Sequence, residues 1–328
     1  MKGLRIQRRL LAFTAGSLCL GGVSAQENEP LRTRNLAPLV AVFGLPTWET
    51  ASARGESQFA VVQEMASHFR LAGRGDEQLV TDGETWRTSF FYKRGIGDDW
   101  TVGFELPVIK QWGGILDDVI DGWHSAFNLP EGNRNRAEDD QLRYVYLDDN
   151  IPQFSFSESS TGLGDAQLSI AKRLGGDSGL LLRAIVKLPT GDEDVFAGSG
   201  STDLTVTLLK QSSTTWRDQE VGYYWGAGLM FLGEPRFLPE RSEEWAAVGV
   251  FGLGWRPTAR LGLKAQLDFH SRFYDSALDE LGKDSIQASI GAWWAFDDRR
   301  RLNFAINEDL IVRTAPDVLF HFDFTWAL

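Results

Sequence analysis

The stretch that decides the fold ends the chain and reads Val318-Leu319-Phe320-His321-Phe322-Asp323-Phe324-Thr325-Trp326-Ala327-Leu328. From Val318 to Trp326 every second residue is apolar, and the polar residues His321, Asp323 and Thr325 fall between them. A period of two places apolar side chains on one face of a β-strand and polar side chains on the other. Strands of soluble sheets are usually about 5–6 residues long, whereas a tilted strand that crosses a bilayer needs about 9–11. The stretch therefore predicts a membrane-crossing strand, apolar toward lipid and polar toward a lumen.

Two interior stretches repeat this alternation. The apolar residues between positions 180 and 188 lie opposite Arg183 and Lys187, and those between 261 and 269 lie opposite Lys264 and Asp268. Extended over the chain, the pattern gives strands near 57–71, 84–94, 99–110, 162–174, 179–190, 202–211, 220–231, 245–256, 260–271, 285–295, 302–312 and 317–328. We predict an all-β protein, a transmembrane antiparallel β-barrel of the bacterial outer membrane with about 12 strands; 14 strands is the alternative.

The connections between these strands support the same architecture. Long connections, beginning with 72–83, follow the odd-numbered strands, and short ones follow the even-numbered strands; only the last connection, 313–316, breaks the rule. Outer-membrane barrels have short periplasmic turns and longer external loops. Most tryptophans also lie near predicted strand ends, which is typical of interfacial girdles. They are Trp86, Trp100, Trp216, Trp245, Trp255, Trp293, Trp294 and Trp326, with Trp225 in mid-strand.

The first 25 residues have the pattern of an export signal. A basic start that includes Arg8 and Arg9 precedes an uncharged stretch from Leu10, and Val23-Ser24-Ala25 places small residues before a cleavage site. We expect cleavage between Ala25 and Gln26. The alternative is a single membrane anchor, for which the stretch is short.

Composition excludes several classes of function. The 328 residues include 33 Lys+Arg and 45 Asp+Glu, a net charge of -12, and cleavage would leave 29 basic residues and a net charge of -16. An acidic chain does not favour nucleic acid, whose phosphates need basic patches. Cleavage also removes Cys19, the single cysteine, so disulfides, thiol chemistry and cysteine-bound metals are excluded from the mature protein. The slightly negative mean hydropathy is explained by averaging an apolar outer face with a polar lumen.

Two segments lie outside the predicted barrel wall. Residues 26–56 could be an insert in the lumen, an extra strand or a periplasmic strap, of which we favour the insert. Residues 57–328 form the barrel, with a large external loop over 111–161. Within this loop, Ile115 to Leu129 has helical spacing of apolar residues. The rest of the loop is acidic, which is typical of a solvated surface and leaves divalent-ion bridging of lipopolysaccharide as a minor alternative.

Polar residues on the predicted inner faces are candidates for lining the lumen. They are Glu64, His68, Arg70, Arg87, Glu105, Arg183, Lys187, Asp203, Lys264, Gln266, Asp268, His270, His321 and Asp323. Closure of a barrel makes the first and last strands neighbours, so His68 and His321 could approach each other. This raises the alternative of a barrel-embedded hydrolase. No serine motif or metal-binding His spacing accompanies these residues, so we predict no catalytic residue, no metal and no cofactor.

Several motifs resemble known families. Thr33-Arg34-Asn35-Leu36-Ala37-Pro38-Leu39 with Phe43-Gly44-Leu45-Pro46, and the stretches Gly113-Gly114-Ile115-Leu116-Asp117 and His124-Ser125-Ala126-Phe127-Asn128-Leu129-Pro130, resemble a proteobacterial family of exported proteins, domain-of-unknown-function family 3187. Thr161-Gly162-Leu163-Gly164-Asp165 and Leu188-Pro189-Thr190-Gly191-Asp192 are similar to outer-membrane transporters of phenol meta-cleavage pathways. Neither resemblance supplies functional residues.

The sequence therefore leaves three hypotheses. The first, which we favour, is a non-catalytic narrow channel or uptake barrel for a small solute, with hydrophobic or aromatic solutes included. The second is the hydrolase, and the third is a structural or adhesive barrel that presents the 111–161 loop. Expected partners are outer-membrane lipid and lipopolysaccharide, the barrel-assembly machinery through the C-terminal strand, and a small solute.

Overall fold

A computed structural model describes residues 29–116, 140–175, 179–310 and 314–328. The predicted signal segment and most of the predicted helix over 115–129 lie outside these residues. The strands are β1 (Ser57–Arg74), β2 (Glu77–Ile96), β3 (Trp100–Trp112), β4 (Arg143–Asp148), β5 (Ile151–Phe156), β6 (Ser160–Leu163), β7 (Gln167–Leu174), β8 (Leu180–Lys187), β9 (Asp203–Trp216), β10 (Gln219–Phe231), β11 (Trp245–Arg256), β12 (Leu261–His270), β13 (Ser285–Ala295), β14 (Arg300–Asp309) and β15 (Val318–Ala327). Two one-turn helices, α1 (Pro38–Ala41) and α2 (Asp279–Gly282), accompany them.

The strands close into an antiparallel barrel. Each of β7 to β15 pairs with the next, and β15 pairs with β1 from Gln58↔Ala327 to Ser67↔Val318. The wall continues from β1 through β2 and β3. β6 and β7 both pair with β3 and together occupy one position in the wall. The described strands thus form twelve wall positions, which confirms the predicted all-β, 12-stranded barrel.

The first hairpin is longer than the sequence pattern indicated. β1 and β2 pair without interruption from Ser57↔Arg94 to Arg74↔Glu77, so the connection between them is only residues 75–76. The prediction of a long connection over 72–83 was wrong. Residues 77–82 pair on their other side with β4, which pairs with β5. Residues 77–82 extend beyond the part of β2 that pairs with β3, above the lipid-covered wall, where no alternation is imposed on the sequence.

The two ends of the barrel differ in their connections. One end has the connections 97–99, 175–179, 217–218, 257–260 and 296–299, and the other has 113–159, 188–202, 232–244, 271–284 and 310–317. By the general rule for outer-membrane barrels, the end with short turns faces the periplasm. The two chain ends of the barrel wall, at β1 and β15, lie on this same side.

The alternation predicted along each strand separates lipid-facing from inward-facing side chains. On β12, Leu263 and Leu267 are 42% and 40% exposed, whereas Lys264 and Gln266 are 4% and 2% exposed. On β13, Ile290 is 74% exposed and its neighbour Ser289 is 1% exposed. A belt of exposed apolar side chains thus surrounds a polar interior, which is stable only where lipid covers the outside. In the described residues no helix is long and apolar enough to cross a membrane.

Candidate functional site

The interior of the barrel is filled by the chain segment that precedes β1. Every residue from 29 to 50 except Ala37 is buried. The segment bonds to inward-facing residues on strands all round the barrel, including β1, β3, β8, β12 and β15. We call residues 29–50 the insert. Its contacts with the wall fall into two kinds, which differ in chemistry.

The first part of the insert runs alongside β12 as an extended segment that is not part of the sheet. The Leu31 backbone N–H donates to Gln266 Oε1 at 2.9 Å, and Gln266 Nε2 donates back to the Leu31 carbonyl at 3.1 Å. Two residues further, Thr33 Oγ1 donates to Asp268 Oδ2 at 2.8 Å. Two residues further again, Asn35 Nδ2 lies 2.9 Å from His270 Nε2. The insert and β12 each advance by two residues from one contact to the next. The odd-numbered residues of the insert segment therefore face β12, and the even-numbered ones face away.

The even-numbered residues carry arginines that reach the opposite strands. Arg32 is 1% exposed and binds Asp323 on β15 at 2.7 Å, Gln58 on β1 at 2.9 Å and Glu29 at 3.1 Å. Arg32 therefore joins the two strands that close the barrel.

Arg34 binds both oxygens of one carboxylate. It donates to Glu105 Oε1 and Oε2 on β3 at 2.9 and 3.0 Å, and Arg87 on β2 donates to the same Oε1 at 2.9 Å. Both bonds of Arg34 come from its Nη2 atom, and hydrogen bonds between charged groups are stronger than those between neutral ones. The charge of Glu105 is therefore shared between the wall and the insert.

The acidic residue at the start of the described insert is also held by ion pairs. Glu29 contacts Lys93 on β2 at 2.5 Å and Arg32 at 3.1 Å. Burial alone would raise the pKa of Glu29, but the attraction of Lys93 and Arg32 outweighs burial and lowers the pKa to about 2. Glu29 is therefore an anion at neutral pH.

The strands β12 to β15 present a surface that we call the polar wall. Its buried inward residues are mostly hydrogen-bonding or charged: Lys264, Gln266, His270, Ser285, Gln287, Ser289, Asn303, Asn307, His321, Asp323 and Thr325. Arg32, Thr33 and Asn35 of the insert bond to this wall as described. Because buried polar groups need partners, the wall and the insert satisfy each other.

The neighbouring strands β10 and β11 present a surface of contrasting chemistry, which we call the apolar wall. Away from the periplasmic end its inward residues are small or apolar: Gly222, Tyr224, Gly226, Gly228, Met230, Ala246, Val248, Val250 and Gly252. At that end Glu220 on β10 pairs with Arg256 on β11 at 3.1 Å. The insert residues Leu39, Val42, Phe43, Leu45 and Trp48 belong to the same buried apolar cluster as Met230, Val248 and Val250. At Gly226 a Cβ atom would lie 2.4 Å from the Trp48 ring. Glycine is therefore needed there for the indole to reach the wall.

On the other side of the apolar wall, residues of β8 and β9 hold the second half of the insert through charged groups. Lys187 pairs with Asp165 at 2.9 Å and Asp203 at 3.1 Å, and it donates to the Val42 carbonyl at 3.1 Å. Asp203 also accepts from the Gly44 N–H at 2.8 Å. Polar contacts to the backbone at Val42 and Gly44 thus hold the same stretch of the insert that packs on the apolar wall.

The external mouth is closed by aromatic rings from separate connections. Phe196 from 188–202 stacks on Phe237 from 232–244 with ring centroids 4.1 Å apart, and the edge of Phe154 on β5 meets Phe196 at 5.5 Å. Phe43 of the insert stacks on Phe273 at 4.9 Å. We call these rings, with Tyr144 and Phe156, the aromatic mouth. Together with the apolar wall it makes one continuous apolar region of the interior.

The structure shows a bonding partner for each of the fourteen residues predicted to line the lumen. Nine bond to the insert: Glu105, Arg183, Lys187, Asp203, Lys264, Gln266, Asp268, His270 and Asp323. The other five bond to residues outside it: Glu64 with His321, His68 with Thr85, Arg70 with Asp317, and Arg87 with Glu105. In the described residues no group of three or more His, Cys, Asp or Glu side chains could hold a metal.

Sequence reasoning missed the apolar wall and misplaced one tryptophan. β11 is apolar on both faces, so its alternation is weak, and the inward positions could have been recognised only by their small size. Trp293 was predicted in the lipid-facing girdle, but it points inward and is 3% exposed, whereas Trp294 is 47% exposed. Gly262 on the neighbouring strand leaves the space that the Trp293 indole fills.

Fold and interior together define the class of protein: an outer-membrane β-barrel with a filled lumen, in contact with membrane lipid. The chain belongs to the family described as protein of unknown function (DUF3187), whose model matches residues 20–327. A search of curated proteins found no match.

The fold is similar to that of solved outer-membrane channels. An outer membrane channel from Pseudomonas putida F1 superposes with a TM-score of 0.52 at 13% identity, covering 85% of this chain and 97% of that chain. The CymD monoaromatic hydrocarbon channel has a TM-score of 0.39 at 11% identity, covering 93% and 96%. The P. putida toluene transporter TodX has a TM-score of 0.36 at 10% identity, covering 84% and 89%. The first of these comparisons supports a shared channel-type barrel fold.

Proposed function

We propose that this protein is a non-catalytic outer-membrane barrel that takes up a small apolar solute along the apolar wall. The observation that carries the proposal is the division of the interior. A solute that passes the aromatic mouth meets small or apolar residues along β10 and β11 as far as the Glu220–Arg256 pair at the periplasmic end, so most of this route has no charge to desolvate. A polar solute on the other side would have to displace the hydrogen bonds between the insert and the polar wall.

The fold similarity agrees with this proposal. The similar structure with the higher TM-score is itself a channel. Two further structures of lower score are described as a monoaromatic hydrocarbon channel and a toluene transporter. The solute class proposed here rests on the apolar wall and not on those names.

We assign no catalytic role to the buried histidines. His321 Nδ1 lies 3.2 Å from Glu64 Oε1, and His270 bridges Asn35 and the Ser271 carbonyl. Both rings bond to residues of the wall or the insert, and we do not favour the hydrolase alternative. The adhesive alternative depends on the 111–161 loop, of which residues 117–139 lie outside the described chain.

An uptake experiment tests the proposed route. The double substitution Val248→Thr/Val250→Thr keeps side-chain shape but adds two hydroxyls to the apolar wall. Burying an unpaired hydroxyl costs about 1–3 kcal/mol, so uptake of toluene by cells that carry the protein in an intact lipopolysaccharide-covered outer membrane should fall about tenfold or more. Val206→Thr is the matched control, because Val206 is 37% exposed on the lipid-facing side of β9. Equal flux through the double variant and the control would refute the route.

We also propose the biogenesis that the sequence indicated. Export would use a signal cleaved between Ala25 and Gln26, and assembly would use the barrel machinery acting on β15, with lipopolysaccharide around the external rim. The mass of the protein purified from outer membranes tests the cleavage site directly. A mass that includes residues 1–25 would contradict it.

A further inference from the structure

The first hairpin continues above the barrel wall as a flap. β2 pairs with β3 as far as Glu84 and with β4 from Asp82 onward, so Gly83 lies where the partner strand changes. Its φ of +142° is a backbone conformation that favours glycine. We call residues 68–83 and 143–156 the flap. A glycine at this joint allows β2 to bend relative to the wall.

The inner face of the flap contacts the aromatic mouth. We call the connections 188–202, 232–244 and 271–284 the rim. Tyr144, Phe154 and Phe156 of the flap each meet the Phe196 ring edge-on, with centroids 5.3–5.6 Å apart. Phe154 also meets Phe237 edge-on at 5.3 Å. In the described chain no strand pairing joins the flap to the rim, so this seam can open without breaking a sheet.

A buried carboxylate near the tip of the flap links it to the rim. Glu77 is 6% exposed and accepts a hydrogen bond from Arg241 Nη1 at 3.3 Å. It also accepts from the Ala277 N–H at 3.0 Å and from the Ser276 hydroxyl. Arg241 Nη2 donates to Asp148 Oδ2 on β4 at 2.6 Å. We call these bonds from the rim to Glu77 and Asp148 the latch; they lie at the end of the flap far from Gly83.

Two other arginines of the flap contact neighbouring connections. Arg70, close to the joint, binds Asp317 and the Ala315 carbonyl, and these bonds can stay in place when the tip moves. Arg74 pairs with Asp279 at 3.4 Å, but both side chains are at least half exposed. Exposed pairs contribute little stability, so the latch supplies the stronger bonding at the tip.

We propose that the flap is a lid on the aromatic mouth, bending at Gly83, and that the latch at its tip controls entry of the solute. With the latch formed, the rings of flap and rim close the mouth. Release of the latch leaves mainly edge-on ring contacts across the seam, which are apolar and can be exchanged for contact with an apolar solute. The inference rests on the proposed function, because it concerns the entrance to the apolar wall.

Distance measurements between spin labels test the movement without any transport assay. Ser155→Cys in the flap and Glu234→Cys in the rim place labels at exposed positions, and the mature protein would have no other cysteine because Cys19 lies in the predicted signal. In micelles we expect a longer or broader distance distribution in Arg241→Gln. The double variant Arg241→Gln/Ser276→Ala should shift it further, since it removes a second donor to the same carboxylate.

Arg272→Gln is the matched control for these variants. Arg272 pairs with Glu243 at 2.7 Å and with Asp275 at 3.4 Å, so these ion pairs stay within the rim. The distance distribution should not change in this variant. An unchanged distribution in the double latch variant, or an equal change in the control, would overturn the lid.

Uptake of toluene by cells separates failure of the lid from failure of the route. Release of the latch should raise uptake about threefold or more. A short bis-maleimide crosslink between Asp148→Cys and Arg241→Cys should lower it by at least as much. If the crosslink leaves uptake unchanged while Val248→Thr/Val250→Thr lowers it, the latch does not control entry and the route stands. If the wall variant leaves uptake unchanged, the route fails, and the spin-label distances alone decide whether the flap opens.

Discussion

The polar wall and the apolar wall contact the same insert through different kinds of interaction. Along β12, three successive odd-numbered residues of the insert each find a hydrogen-bonding partner, and Arg32 reaches across to β15. Along β10 and β11 the insert is held by shape and apolar contact, as where Trp48 meets Gly226. Directional bonds fix a chain in one register, whereas apolar contact is non-directional and can be exchanged for contact with another apolar molecule. The first wall therefore anchors the insert and the second can admit a solute beside it.

The largest effect is expected from removing the insert, which abolishes both kinds of contact. Deletion of residues 29–50 should open a water-filled path through a 12-stranded barrel, whose interior is wider than that of a side-chain-filled 8-stranded one. Single-channel recordings in planar bilayers should show ion conductance at least about tenfold above that of the full chain. If the deletion variant conducts ions no better than the full chain, the insert is not what closes the lumen.

The next largest effect is expected on the anchoring side. Arg32→Met leaves Asp323 and Glu29 as buried charges without their shared partner, which typically costs about 3–5 kcal/mol. Urea unfolding of the protein in micelles should show the loss. The matched control is Arg54→Met, since Arg54 and Asp98 are exposed and such pairs contribute about 0–1 kcal/mol. Equal stability of the two variants would refute an anchoring role for the polar wall.

A smaller effect, but a more diagnostic one, is expected on the apolar side. Leu45→Ala removes a side chain from the apolar cluster and should cost about 2–4 kcal/mol, partly through the cavity left behind. Because an apolar cavity binds apolar molecules, toluene should restore part of this stability. Toluene should give no such recovery in Arg32→Met. Recovery in both variants, or in neither, would remove the distinction between the walls.

The smallest effect is expected from acid. The pKa of Glu29 is lowered to about 2 from an ordinary value of 4.5, so its ion pairs stabilise the folded state fully above about pH 4.5. That stabilisation is lost as the pH falls toward 2. Cleavage of the insert by pepsin should therefore increase over this range in the natural protein. In Glu29→Gln this part of the pH dependence should be absent, and an unchanged profile would show that other carboxylates cause it.

The barrel was predictable because lipid imposes a rule on sequence. Where a strand crosses the bilayer with a polar interior, as β12 and β15 do, the alternation is complete and the boundaries follow within a few residues. Above the membrane the rule no longer holds, so the upper half of the first hairpin was not recognised. Nothing in the composition of 77–82 indicates its pairing with β4, since that pairing depends on contacts far apart in the chain.

Only part of the candidate site, the charged residues on the inner faces, could be predicted from the sequence. Charged residues on inner faces were identified because they interrupt apolar runs, but their partners Arg32 and Arg34 lie in a segment without periodicity. The apolar wall has no contrast between its faces: Val250 inside and Phe251 outside differ in size rather than polarity. A lumen of mixed polarity can therefore be derived from sequence, whereas its division into two walls requires the closed structure.

The position of Arg32 has a consequence for biogenesis. Its guanidinium bonds to Gln58 on β1 and to Asp323 on β15. A residue of the insert therefore bridges the two strands whose pairing closes the barrel. A cylinder closed around an empty centre would leave Asp323 without this partner. Because Arg32 contacts both strands of the closing pair, we expect packing of the insert and pairing of β15 with β1 to stabilise each other.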